Sequence, residues 1–190
     1  KWLGKCPECT KWNTFVEEIE QKSLKKTDVF IIDKSSSKPV SINSIQTKEE
    51  ERFSTCINEL DRVLGGGIVK GSLVLVGGDP GIGKSTLLIQ VSSNVGKRVL
   101  YISGEESESQ IKMRAQRLGI NSDNLYIFAE NNLSIIESQL DSINPDLIIL
   151  DSIQTVYSPE ISSAPGTVSQ IKEGTSKFMK ISKKMGISTF

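Results

Sequence analysis

From residue 70 onward the apolar and polar positions follow two alternating rhythms. Short apolar runs of strand length occur at "SLVLVG" (72–77), "RVLYIS" (98–103), "NLYIFAE" (124–130) and "LIILDS" (147–152). Between them lie apolar stripes at helical spacing: Leu87, Leu88, Val91 and Val95; Ile111, Ala115 and Leu118; Ile136, Leu140 and Ile143; and, in the last, Ile171, Thr175, Phe178 and Ile181. Start and stop signals agree. Ser107 with Gln110, and Ser134 with Glu137, are capping-box pairs. Gly119 and Pro145 are helix terminators. A final apolar run begins after Gly186. The predicted order is β-α-β-α-β-α-β-α-β. Near-continuous apolar strands separated by amphipathic helices predict an α/β fold, a mainly parallel sheet flanked by helices. In such sheets ligands bind beyond the carboxyl ends of the strands.

The segments before residue 51 break this pattern. Residues 1–16 are aromatic-rich and hold Cys6 and Cys9 in a C-x-x-C. Residues 17–50 are rich in Ser, Lys and Glu, show no period, and read as a linker or arm. Order is expected to resume at 51–190, in "RFSTCINELDRVLGGG". The first residue is lysine, and "GISTF" at the end reads as the start of a buried strand, so the chain is expected to be a piece of a longer protein.

Composition narrows the classes. The chain of 190 residues is 37% hydrophobic, with 23 basic residues balanced by 23 acidic ones and no histidine. That balance leaves no nucleic-acid footprint in the net charge. No apolar run approaches the roughly 18 residues of a membrane span, and the start has no secretory apolar region. Three cysteines form no paired disulfide framework, which points to a reducing cytoplasm. Cys56 reads as a small buried residue.

The chemistry concentrates in "GGDPGIGKSTLL" (77–88). Gly78, Asp79, Pro80, Gly81, Ile82, Gly83, Lys84 and Ser85 match G-x-x-x-x-G-K-[ST], after an apolar strand and opening a helix. Glycines let backbone N–H groups turn inward around a phosphate chain, and the helix aims its positive end at the same anion. Lys84 would reach the β- and γ-phosphates of a nucleoside triphosphate. Ser85 would offer its hydroxyl to Mg²⁺, and Thr86 would meet an α-phosphate oxygen. Asp151, ending the fourth run, is the acidic partner that holds the metal through water. On its own it would read as a turn or cap residue. After the second run, Gly104 lets the chain turn, and Glu105 and Glu106 are candidates to orient a water on the γ-phosphate. Their plainer reading is as acids favoured at the next helix's amino end.

"RFSTCINELDRVLGGGIVKGSLVLVGGDPGIGKSTLL", "VLYISGEESESQIKMRAQRLG" and "PDLIILDSIQTVYSPEISSAPGTVSQIKE" together resemble the bacterial RadA (Sms) family of RecA-like DNA-repair ATPases. The likeness runs from about Arg52 to Phe190, and "LDSIQTVYSPEISSAPG" is its most specific stretch. "KWLGKCPECTKWNTFVEE" resembles the second half of that family's four-cysteine zinc finger. The resemblance implies a RecA core and ATP hydrolysis with Mg²⁺, stimulated by single-stranded DNA. It implies a homo-hexameric ring that drives branch migration of recombination intermediates beside a RecA-type recombinase. It assigns Glu105, with Glu106 in tandem, to catalysis, and Gln154 to a relay toward the γ-phosphate or DNA. It places the fifth strand between the phosphate-loop strand and that of Asp151, and makes Cys6 and Cys9 half of a Zn²⁺ site completed in the full-length protein. The family's Lys-Asn-Arg-Phe-Gly motif and its Lon-protease-like domain fall beyond residue 190. Cys56 departs from the family's usual glycine; at positive φ it would carry about 1–2 kcal/mol of strain. Gly174, inside a predicted helix, costs about 1 kcal/mol relative to alanine. Lys177, Lys180, Lys183 and Lys184 form a basic face on the last helix, read as solvated surface or as a phosphate contact.

Two other classes compete with the repair motor. One is a RecA-like regulatory ATPase or autokinase that does not act on DNA, similar to clock-protein relatives with paired glutamates. The other is a zinc-ribbon adaptor whose ATPase is degenerate.

Overall fold

The computed structural model describes residues 39–44 and 50–190. The expected zinc-finger half at 1–16, with Cys6 and Cys9, and most of the 17–50 arm lie outside the described residues. The chain divides into two compact units, Lys1–Thr47 and Lys48–Phe190. In the first, a 3₁₀ turn at Ile42–Ser44 is closed by the Ser44 amide and hydroxyl, both donating to the Ser41 carbonyl.

The second unit opens with β1 (Arg52–Phe53) paired antiparallel to β2 (Ile68–Val69) around the short helix α1 (Asn58–Val63). Asp61 organises the turn between β1 and α1. One carboxylate oxygen accepts from the Thr55 amide at 2.8 Å and its hydroxyl at 2.7 Å, and the other accepts from the Ser54 hydroxyl. This turn corrects the expectation for Cys56. The side chain is exposed rather than buried, and the residue does take a positive φ of 56°.

The main sheet is parallel, in the order β4 (Leu125–Ala129), β3 (Val99–Ser103), β5 (Leu147–Asp151), β6 (Ser188–Thr189). The phosphate-loop segment joins beyond β6 through a bridge of Leu73 to Thr189, with Val74 N–H donating to Thr189 O at 2.8 Å and Thr189 N–H to Ser72 O at 2.8 Å. The last strand therefore lies between that segment and the Asp151 strand. The expected strand 72–77 is reduced to this bridge. Leu75, beyond the bridge, is 86% exposed.

Strand alternation decides which helices cover which face. Val99, Tyr101, Leu147 and Ile149 pack with α2 (Lys84–Asn94) and α3 (Glu108–Arg117), through Leu88, Ile89, Val91, Ile111 and Ala115. Leu100, Ile102 and Ile148 pack on the other face with α4 (Leu133–Ile143) and α5 (Val168–Met185), through Leu133, Ile136, Leu140 and Phe178. The result is a helix–sheet–helix sandwich, the α/β class expected. Among the described residues no helix is long and apolar enough to cross a membrane.

Helix ends follow local chemistry. Ser107 and Gln110 form the full capping box on α3. Gly119 ends that helix at φ 69°, with its N–H on Gln116 O and that of Ile120 on Ala115 O. The α4 expectation is corrected: Asn132 is the N-cap, its side chain accepting from Ser134 N–H at 3.0 Å, so the helix begins ahead of the Ser134–Glu137 pair. Asn144 closes α4 in the left-handed region just before Pro145. On α5 the buried stripe is Gln170, Gly174, Phe178 and Ser182, one step round from the predicted apolar set, of which Ile171, Thr175 and Ile181 are half-buried. Gly174 sits where a Cβ would come within 3.0 Å of Ile153 Cδ1, so its helix cost is offset by close packing of the loop after β5.

Candidate nucleotide site

The phosphate loop is built from its glycines. Gly81 at φ 80° and Gly83 at φ 102° hold backbone turns that a side chain would strain, and Gly83 is the left-handed N-cap of α2. No side chain caps that helix and no acid lies in its first turn. Its first N–H groups therefore lack a side-chain acceptor and carry the positive end of the helix dipole. Lys84 lies back over the loop, its ammonium donating to Gly78 O and Asp79 O, each at 2.8 Å. Those two carbonyls hold the charge at the loop's centre. Gly78, Asp79, Pro80, Gly81, Ile82 and Gly83 are exposed, as is Thr86, while Lys84 and Ser85 are half-buried. The bend is open, and the helix-start N–H groups beside it have no side-chain acceptor.

Asp151 ends β5 directly opposite Ser103 at the end of β3. Leu147, Ile149 and Asp151 alternate onto one face of the sheet, the face that α2 covers, so the carboxylate emerges on the side of Lys84 and Ser85. One strand, β6, separates it from the phosphate-loop segment, a gap of two strand spacings or about 10 Å. A phosphate chain with its metal and waters spans such a gap. Asp151 Oδ2 accepts the Tyr101 hydroxyl at 2.6 Å, and its other oxygen has no partner among the described residues. Burial, and then the hydrogen bond to Asp151, hold the Tyr101 phenol well above the ordinary tyrosine range, so it stays a donor. Among the described residues no group of three or more metal-ligating side chains is assembled. Oxygen donors from one hydroxyl and one free carboxylate oxygen suit Mg²⁺ carried in with phosphate and water, rather than an ion caged by protein alone.

The turn after β3 lies at the same edge. Gly104 N–H donates to Asp151 O at 3.4 Å. The expectation that Gly104 serves the turn by backbone freedom is replaced by a steric reason: a Cβ there would stand 2.2 Å from Thr155 Oγ1 and 2.6 Å from Thr155 Cβ. Glu105 and Glu106 take different surroundings. Glu105 is exposed and has no hydrogen-bond or ion-pair partner among the described residues. Glu106 is half-buried, paired with Arg114 of α3, and its N–H donates to Ser103 Oγ at 3.0 Å. A cleft of about 280 Å³ opens here, lined by Ser103–Ser107 and Ala129–Asn131. Gln154 is exposed in the loop that follows Asp151. That loop is held at its far end by the buried Gln170, whose amide accepts from Ser158 N–H at 2.8 Å and donates to Ile161 O and Ser163 O at 3.1 and 2.9 Å.

The lysines of α5 do not form one uniform free face: Lys177 is half-buried with Glu137 at 3.8 Å, while Lys183 and Lys184 are exposed in the last turn. Two residues escaped the sequence reading, Tyr101 and Arg114. Tyr101 had a signal, since a phenol inside a buried, largely apolar strand needs a partner for its hydroxyl. Arg114 had none, because eight residues and a turn separate it from Glu106.

Comparison with known proteins bears on the fold and the family. The family model described as "ATPase: KaiC" matches residues 53–143. The DNA repair protein RadA of Halalkalibacterium halodurans is 51% identical over 194 residues, and that of Bacillus subtilis 52% over 195, each across 100% of this chain. The chain spans 42% and 43% of the length of those two relatives. The crystal structure of a KaiC-like protein from Pyrococcus horikoshii superposes with a TM-score of 0.60 at 22% identity, covering 74% of this chain and 68% of that one. The chain is thus a homologue of the bacterial RadA proteins along its whole length, and its fold is that of a KaiC-like, RecA-type ATPase.

Proposed function

We propose that this chain carries the ATP-hydrolysing core of a RadA-type DNA-repair protein acting in the cytoplasm. The observation that supports it best is the shared orientation of Asp151 and the Lys84–Ser85 helix start, on one face and at one edge of the sheet. In this reading the phosphate loop, Gly78 to Gly83, wraps the polyphosphate. Lys84 leaves its two loop carbonyls for the β- and γ-phosphates, and Thr86 meets an α-phosphate oxygen. Bound Mg²⁺ would neutralise charge on the phosphates, held by the Ser85 hydroxyl and, through water, by the free oxygen of Asp151. Glu105 orients the attacking water, because it is the unpaired acid of the two. Glu106 acts mainly by anchoring the turn through Arg114. Gln154 lies on the exposed loop after Asp151, where a contact to DNA or to the γ-phosphate is open to it.

On the resemblance of its sequence stretches to the RadA family, the reading extends to single-stranded DNA, to recombination intermediates moved by branch migration, and to a RecA-type recombinase as partner. In a longer protein Cys6 and Cys9 would supply half of a Zn²⁺ site, and the ATPase cores would close into a hexameric ring. The test is ATP turnover with and without single-stranded DNA. Lys84→Ala is expected to lower turnover at least about 100-fold, and DNA to raise that of the unaltered protein. Turnover indifferent to both would overturn the proposal.

The KaiC match, which includes the tandem Glu105–Glu106, favours one alternative: a regulatory ATPase or autokinase that does not act on DNA. That reading expects label from γ-³²P-ATP to remain covalently on the chain. Release of all label as free phosphate would remove it.

A further inference from the structure

Tyr101 is the one residue of β3 whose side chain combines complete burial with a hydrogen bond into the nucleotide site. Its ring lies in the core between the sheet and α2 and α3, at 0% exposure. Only the phenolic oxygen reaches out of that core. It pairs in register with Ile149, so the residue two further along β5 on the same face is Asp151. The hydroxyl meets that carboxylate at 2.6 Å. A ring locked by packing has little rotamer freedom left, and it transmits that rigidity to whatever its hydroxyl holds. A carboxylate at the end of a strand, half-exposed, would otherwise rotate about its last torsion and present either oxygen.

We infer that Tyr101 is a positioning residue for the metal site: it fixes the rotamer of Asp151 and reserves Oδ2, so that the other oxygen alone faces the Mg²⁺–nucleotide. The inference rests on the reading of Asp151 as the metal-site acid. Partners one step removed from a metal typically change its affinity about 10–100-fold when lost. Phenylalanine keeps the ring and the packing and deletes only the hydroxyl.

The experiment uses the full chain with a fluorescent ATP analogue, titrated with Mg²⁺ at fixed nucleotide. Tyr101→Phe is expected to raise the Mg²⁺ concentration for half-maximal binding about tenfold, with nucleotide affinity in EDTA unchanged. In an Asp151→Asn background the same change is expected to add nothing, because the two side chains act as one unit. A shift in Asp151→Asn but none in Tyr101→Phe overturns the positioning role and spares the nucleotide site. No shift in either overturns both. A second readout does not require Tyr101→Phe to fold. With 3-fluorotyrosine incorporated, the resonance assigned to position 101 should move when Mg²⁺ is added at saturating nucleotide, and stay still in Asp151→Asn. A resonance that ignores Mg²⁺ in the unaltered chain refutes the inference.

Discussion

Glu105 and Glu106 are identical in chemistry and adjacent in sequence, yet their surroundings divide them. Glu106 spends its charge on Arg114, and removing it strands a half-buried guanidinium. Glu105 has no structural task of this kind. Glu105→Gln is therefore expected to leave the thermal midpoint in place while lowering ATP turnover by about 100-fold or more. Glu106→Gln is expected to lose about 1–2 kcal/mol of stability and to keep most of its turnover per folded molecule. Thermal melts beside steady-state ATPase assays separate the two. A normal turnover in Glu105→Gln with a dead Glu106→Gln would reverse the assignment. At this scale the sequence named the candidate acids but could not rank them, because the residue that ranks them arrives from α3. Gly104 makes the same point: its neighbour Thr155 lies 51 positions on, in a different loop.

Among the elements, the helices were the most readable and their first residues the least. The capping box on α3 and the Gly119 stop were visible because both are local: donor and acceptor lie within one turn. The start of α4 was not, since two competing caps, Asn132 and Ser134, stand two residues apart. What settled it is Leu133, fully buried against the sheet, which pulls the helix start upstream. Asn132→Ala is thus expected to cost about 1 kcal/mol, and Ser134→Ala, at an exposed first-turn position, less than about half of that. Chemical unfolding of the two variants measures both, and a reversed order would restore the expected cap. The phosphate-loop segment shows the opposite limit. Its apolar alternation is that of a strand, with Val74 and Val76 packed inward, but a strand is defined by its pairing, and here the pairing is the single bridge of Leu73 to Thr189.

Taken whole, the Lys48–Phe190 unit is pinned at its entry by a carboxylate. Burial raises the pKa of Asp61, but the hydrogen bonds from Ser54 and from the amide and hydroxyl of Thr55 outweigh it and hold the group below its ordinary value. A pKa lower in the folded than in the unfolded state stabilises the fold fully above the unfolded value of about 3.9, and that contribution fades as pH falls through the folded one. Melting curves between pH 7 and pH 3 should therefore drop at the acid end. Asp61→Asn should start lower at pH 7, by about 3 °C, and lose less on acidification; parallel curves for the two proteins would remove Asp61 from the account. What the sequence determined unaided was whatever depends on near neighbours or on period: the alternation of strands and helices, the glycine turns of the phosphate loop, the helix that follows it, and the acid at the end of a buried run. What tertiary structure decided was every relation between distant segments: that Asp151 shares a face with Lys84, that Tyr101 holds it, that Arg114 claims Glu106. Periodicity tells a residue which side of its own strand it occupies. Only the order and register of the strands say whose side chains it meets there.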